Sequence, residues 1–468
     1  MATASLAARN GHARTPADKR VLAASSIGTV LEWYDFFLYG TAAALVFDKL
    51  FFSSSLSDTA ATLASFATFG AGFFARPFGA VLFGHFGDRV SRRNMLIISL
   101  TMMGLASAAI GCLPTYASIG LAAPVLLVAL RLIQGFGVGG EWGGAVLMVT
   151  ENAPDGKRGR YGAWVQFGVP AGLLLATVTF LLVDAVTTED QFMSWGWRVP
   201  FLLSIVLVAI GLFIRLRIVE SPDFEKAKTK GKTEEAPAPV VETVRRHPRE
   251  LATAFGARVG ENALFYLFTV FVLEYGEDEL GFERNEILVA VIVAAAIGLF
   301  TNLFYGALSD RVGRKPVYLF GAVVSLVFSF FYIPMLDTES LAVIVVATVI
   351  GLNIGHDAMY GVQAAFFAES FGTTARYTGA GIGYHLAAVF GGGVAPLIAT
   401  ALMATGDNGK LLVGGYMALM CLITVIAVLF SRETKDSDFH EAPADDVERE
   451  GRFTRDTSRA PVTARAAR

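Results

Sequence analysis

Hydrophobic residues along this chain fall into long runs broken by short polar stretches. Twelve runs predict membrane-spanning helices, at about 22–47, 61–83, 94–113, 120–149, 161–184, 198–217, 251–275, 287–308, 316–335, 341–370, 376–404 and 411–430. A helix rising about 1.5 Å per residue needs roughly 20 apolar residues to cross a hydrocarbon core about 30 Å thick. The expected fold class is therefore an all-α integral membrane protein of twelve helices in two pseudo-symmetric six-helix bundles. The longest internal polar stretch, about 218–249, separates six runs from six. Five regions follow: a tail at 1–20, a bundle at 21–217, a central loop at 218–249, a bundle at 250–431 and a disordered tail at 432–468.

A repeat sits between spans. Gly84 to Arg93 reads GHFGDRVSRR, and Gly306 to Lys315 reads GALSDRVGRK. Asp88 maps to Asp310, Arg89 to Arg311, Arg92 to Arg314 and Arg93 to Lys315, at a constant offset of 222. Glu151 and Arg158 likewise map to Glu369 and Arg376, at an offset of 218. Repetition at about half the chain length implies two copies of one unit. The hinge aspartates follow the ends of two helices. Each is expected to accept backbone N–H groups at the start of the next helix and to pair with arginine, closing one side of the membrane. The alternative is that the basic residues only set topology.

Charge then orients the chain. Lys and Arg cluster on the side holding the N-terminal tail, both hinges, the central loop and the C-terminal tail, which makes that side, and both termini, cytoplasmic in a cell (inner or plasma) membrane. The net charge of −3 adds little, because the charges are segregated into loops. The 54% hydrophobic and 17% charged composition fits a membrane protein. Cys112 and Cys421 lie within apolar runs and read as two buried thiols, with no disulfide framework and no metal-ligand spacing. The polar first 20 residues lack the features of a cleaved signal, so the first run is expected to remain as a helix.

Ionisable residues inside the runs point to function, since each costs about 2.5–3.5 kcal/mol at the membrane centre. They are Glu32, Asp35, Arg76, Arg131, Glu141, Arg258, Glu261 and Asp357. Asp35 and Arg131 both fall near mid-membrane and could pair. Arg76 lies nearer the basic side and could reach the interface. Five acids facing three arginines cannot all be ionised and paired locally. A carboxyl in such a site can take a proton in one conformation and release it in the other. Asp35 tuned by Arg131 is the first candidate proton carrier and Glu32 the second; a fixed salt bridge orienting two helices is the alternative. Arg131 or Arg258 could hold a carboxylate bidentately. Tyr34, Gln134, Glu141, Glu261, Asn262, Tyr266, His356, Gln363, Tyr384 and His385 complete the candidate substrate-binding set. His356 with Asp357 could relay protons or be structural.

These residues carry a family resemblance. The hinge resembles the Gly-x-x-x-Asp-Arg-x-Gly-Arg-Arg motif of the major facilitator superfamily, with Ser91 replacing glycine in the first copy and Gly313 present in the second. Within it, EWYDFFLYG (Glu32–Gly40), RLIQGFGVGGEWGG (Arg131–Gly144), WGWRVPF (Trp195–Phe201) and the stretch from Gly361 to Tyr384 resemble the metabolite:proton symporters. The resemblance implies a proton-coupled importer of a small polar metabolite, such as shikimate or a related carboxylate, working by alternating access as a monomer in lipid. A proline/betaine or di/tricarboxylate permease is the alternative.

Other classes fit less well. GFGVGG at Gly135–Gly140 matches a nucleotide fingerprint but lies within a spanning run, where glycines serve close helix packing. There is no P-loop. Six histidines and two cysteines form no enzyme or metal cluster. A channel would not require the repeated hinges. No cofactor, metal or nucleic acid is expected.

Overall fold

The computed structural model describes residues 16–89, 92–151, 153–216, 245, 247–371 and 376–437. The side chains of Gly84, Asp88, Arg89, Arg92, Arg93 and Arg376 lie outside the described residues, as does most of the central loop. No strand occurs among the described residues.

Among the described residues the chain forms twelve long helices. In order they are α1 (Pro16–Leu45), α2 (Asp58–Arg89), α3 (Arg92–Gly111), α4 (Ala122–Glu151), α5 (Arg158–Val186) and α6 (Arg198–Leu216). The second half continues with α7 (Pro248–Glu279), α8 (Arg284–Val312), α9 (Arg314–Leu336), α10 (Leu341–Ser370), α11 (Gly379–Met403) and α12 (Gly409–Phe430). Nine of these, α2, α4, α5 and α7 to α12, are long and apolar enough to cross a membrane by themselves among the described residues. Large apolar side chains such as Phe78, Phe300 and Phe430 point outward, 70%, 74% and 86% exposed. Water would penalise such a surface, whereas lipid does not, and helices satisfy their own backbone hydrogen bonds there.

Each half repeats the other's packing. α2 lies on α4 and α3 on α6; correspondingly α8 lies on α10 and α9 on α12. The halves meet along α2 against α11 and α5 against α8, two contacts that exchange under the same repeat. Glycine permits the closest crossings. A methyl group on Gly135 would strike the Gly72 carbonyl, and one on Gly139 would strike the Arg76 carbonyl, so the GFGVGG stretch is a packing seam between α2 and α4.

One expectation needs correction: Cys421 is buried, but Cys112 is exposed at the end of α3.

Candidate substrate and proton site

In the second half the polar side chains form one connected network. α7 carries Arg258, Glu261, Asn262 and Tyr266, and α10 carries His356, Asp357, Tyr360 and Gln363. A π-helical turn interrupts α10 at Ile350–His356, and another follows Tyr266 at Leu267–Phe271. Such turns shift the face a helix presents and recur at functional sites. Asp357 Oδ2 accepts hydrogen bonds from Thr301 and from Asn353 (2.9 Å). His356 bridges Asp357 Oδ1 (3.0 Å) and Glu261 Oε1 (2.8 Å). Glu261 Oε2 accepts from Arg258 (3.2 Å) and from Gln363 (3.1 Å). Gln363 also accepts from Arg258 and donates to the Tyr318 hydroxyl at 2.9 Å. Arg258 therefore has a carboxylate and an amide as standing partners.

Tyr384 binds the halves together. The Arg258 guanidinium lies 3.3 Å from its ring centre and the Trp142 ring 3.7 Å, so they occupy opposite faces. Trp142 donates to Gln166 (3.1 Å), which donates to the Tyr360 carbonyl (3.2 Å). His385 is buried edge-on to Tyr384.

The first half is arranged differently from the expected Asp35–Arg131 pair, which does not form here. The Asp35 carboxylate accepts from Ser204 on α6 and lies beside Ser107. Arg131 donates to Gln134 (3.0 Å) and to the Phe69 carbonyl (3.4 Å), and Gln134 donates to Ser107 (2.6 Å). Acid and arginine are thus linked through two neutral side chains. The physical reason is helix placement: α6 packs against α1 and α3 and offers Asp35 a hydroxyl, while Phe36 and Tyr39 of α1 and Phe69 of α2 offer Arg131 aromatic rings. Tyr34 is committed within its own half, donating to the Pro200 carbonyl at 2.7 Å. Glu32 and Glu141 are both buried.

Arg76 does not reach the membrane surface. Its side chain is fully buried, 4.1 Å from the Phe36 ring centre, 4.4 Å from Phe73 and 5.6 Å from Trp33. None of its three nitrogens has a hydrogen-bond partner. Cation–π contacts contribute about 0.5–2 kcal/mol each. Burying an ion costs several kcal/mol, and a guanidinium leaves five N–H donors to satisfy. The rings therefore offset only part of the burial. Asn262 Oδ1 and the Tyr266 hydroxyl are also buried without partners.

At the hinge end, the second copy ties the halves together. Asp310 accepts N–H groups from Gly159 and Arg160, both at 2.8 Å, at the start of α5. It also pairs with Arg314 at 2.7 Å. The partner helix is thus α5 of the opposite half, not the next helix in sequence as expected. Arg314 holds Glu369 through two 3.1 Å bonds, and Arg158 approaches the same carboxylate at 3.9 Å. Gly306 and Gly159 face each other so closely that a methyl group on either would strike the other's carbonyl. Glu151 is exposed. The chain just past α12, expected to be disordered, in part joins this cluster. Glu433 accepts the N–H groups of Arg314 (2.8 Å) and Lys315 (3.0 Å), which hold its carboxyl below the usual range despite burial. Lys315 reaches the Leu429 and Ser431 carbonyls, and the Arg311 carbonyl accepts from Lys435. At the opposite end, Arg284 on α8 binds Asp184 (3.0 Å) and Glu189 (3.1 Å), and Lys49 binds Glu277 at 2.6 Å. Ion pairs therefore join the halves at both ends.

Comparison with known proteins decides the family. A family model described as Major Facilitator Superfamily matches residues 25–396 and 277–464. The chain belongs to the Major Facilitator Superfamily. Among its superfamily relatives, the shikimate transporter of Escherichia coli (strain K12) is 42% identical over 417 residues, covering 89% of this chain and 95% of that protein. The inner membrane metabolite transport protein YhjE of the same organism is 41% identical, covering 90% and 96%. The proline/betaine transporter of Salmonella typhimurium (strain LT2) is 30% identical, covering 89% and 84%. Among solved superfamily structures, the proton:xylose symporter XylE bound to 6-bromo-6-deoxy-D-glucose aligns with a TM-score of 0.69 at 18% identity, over 91% of this chain and 98% of that one. That likeness concerns the fold. The chain is a membrane transporter and not an enzyme.

Sequence reasoning missed Trp142, Gln166 and the aromatic rings around Arg76. Trp33 and Phe36 stand inside EWYDFFLYG and Trp142 inside RLIQGFGVGGEWGG, two of the stretches that carry the resemblance, which is the signal that could have found them.

Proposed function

We propose that this protein is a proton-coupled symporter that imports a weak organic acid, shikimate or a related small carboxylate, by rocking its two halves about a central site. The carrying observation is the burial of three guanidinium groups inside the spans: Arg76, Arg131 and Arg258 are each fully buried, and Arg76 has no hydrogen-bond partner. The similarity to the shikimate transporter supports the same substrate class. Asp35 is the proton carrier in this reading. Its partner is a hydroxyl and not a cation, so a proton can neutralise it without breaking an ion pair. The Glu261–His356–Asp357 chain is the second proton-bearing element. The hinge end is the cytoplasmic gate, with both termini on that side of the cell membrane, and the protein works as a monomer.

Uptake into proteoliposomes under an imposed pH gradient tests the proposal. The panel is shikimate, 2-oxoglutarate, citrate, an aromatic acid, proline and betaine. Accumulation of one acid that collapses with a protonophore is the expected result. Movement of betaine or proline alone would overturn it in favour of an osmolyte transporter. Downhill flux that ignores the pH gradient would point to a channel.

A further inference from the structure

We infer that Arg76 on α2 is the anchor for the substrate carboxylate, with Tyr266 and Asn262 of α7 receiving the polar groups on the rest of the substrate. The inference rests on the weak-acid reading above and names the residue that confers it. Of the three arginines buried within the spans and away from their ends, Arg258 already holds Glu261 and Gln363, and Arg131 already holds Gln134 and the Phe69 carbonyl. Arg76 alone among these three has every nitrogen without a hydrogen-bond partner. It is also fully buried, so the missing partner is a group that enters the site.

The surroundings fit a small anion. Phe36 and Phe73, whose faces carry the guanidinium, also contact the Tyr266 ring at 6.0 and 5.2 Å between centroids. Arg76 from the first half and Tyr266 from the second therefore flank one aromatic wall at the boundary where the halves separate. Tyr266, Tyr384, Glu32 and Arg258 all lie near enough to act on it electrostatically. The Tyr266 hydroxyl and Asn262 Oδ1 are themselves buried and without partners. A methyl group on Gly392 of α11 would collide with both Asn262 Oδ1 and the Tyr266 ring, so glycine there leaves that wall its space. A planar carboxylate can take two parallel N–H bonds from a guanidinium, while hydroxyl groups on a small ring or chain satisfy Tyr266 and Asn262. The ligand class is a small hydroxylated monocarboxylate.

The test compares binding of shikimate and of its methyl ester to the purified full chain, by competition against labelled shikimate. The wild type is expected to prefer the acid by roughly 10- to 100-fold, the size of a lost charge-assisted pair. Arg76→Gln and Arg76→Met are expected to bind acid and ester alike, while Arg76→Lys retains the preference with weaker affinity. Because the buried guanidinium has no hydrogen-bond partner and the rings offset only part of its burial, Arg76→Met is also expected to raise the Tm of the ligand-free protein. A structural arginine would lower it. An Arg76→Gln or Arg76→Met protein that keeps the acid preference overturns the anchor while leaving the weak-acid reading intact, as does a lower Tm with unchanged preference. Should neither variant fold, an Arg76→Lys protein that binds acid and ester alike overturns the anchor. A wild type that binds betaine or proline and none of the acids overturns both.

Discussion

The Asp310 carboxylate accepts the Gly159 N–H at 2.8 Å, across the boundary between the two halves. A side chain at the end of one helix thereby meets the exposed N–H groups at the start of another, where the helix dipole favours negative charge. Asp310→Asn keeps the shape but removes the charge that also holds Arg314. Charge-assisted hydrogen bonds contribute about 1.5–3 kcal/mol each, so closure of this end should weaken by roughly tenfold or more. Uptake normalised to reconstituted protein should fall correspondingly. Wild-type uptake at normal yield would reject the gate.

Gly306→Val tests the same contact sterically. Any Cβ there meets Ala163, the Gly159 carbonyl and the Gly361 carbonyl. The variant should hold the hinge end open, so a cysteine introduced near Gly159 should react faster with a water-soluble maleimide. Unchanged labelling would show that the halves close without this crossing.

Asp35→Asn should abolish accumulation driven by a pH gradient while leaving substrate counterflow, which needs no net proton movement. The Ser204 hydrogen bond can be kept by the amide, so the fold should persist. Proton-driven accumulation at the wild-type level would rule Asp35 out as the carrier.

Arg284→Gln should loosen the end opposite the hinge. Arg284 joins Asp184 and Glu189 of the first half to α8, and Glu277 lies 3.6 Å away. Spin labels placed across this end should show a longer or broader distance distribution in the absence of substrate. An unchanged distribution would mean that Lys49–Glu277 and helix packing suffice.

Acidity should tighten that same end. Burial pushes the Asp48 carboxyl up from 3.8 to about 6; Lys49 opposes this, while Asp278 and Glu277 add to it. The folded end therefore favours neutral Asp48. Its stabilisation is complete below about pH 4 and is lost as the pH rises through about 6. Asp48→Asn, permanently neutral, should gain thermal stability over the wild type as pH rises across that window. A Tm difference that stays constant with pH would contradict this sign.

Much of the architecture was readable because its causes are local. Each spanning run must satisfy its backbone hydrogen bonds within itself, so run length alone gives the helices. The hinge repeat gave the two-fold relation, and Asp310 and Arg314 do sit where the halves meet. The buried charges were also legible as a set, since charge in an apolar run is costly wherever it points. Their partners were not legible. Asp35 and Arg131 share a depth, but Asp35 meets Ser204 and Arg131 meets Gln134, because helix rotation and not depth selects a neighbour. Glu433 was hidden for a related reason: a lone acid in a polar tail gives no sign that it will cap α9.

The sequence by itself determined the class of the molecule: twelve apolar spans, a duplicated hinge, and more buried ionisable groups than local pairing can satisfy. Only the tertiary structure decided which groups satisfy one another. Arg258 is matched by Glu261 and Gln363, whereas Arg76 is surrounded by rings and left without a hydrogen bond. A sequence reports the cost of burying a charge, which depends on the residue and its apolar surroundings. Whether that cost is offset depends on atoms within about 3 Å, and those are brought together from distant helices.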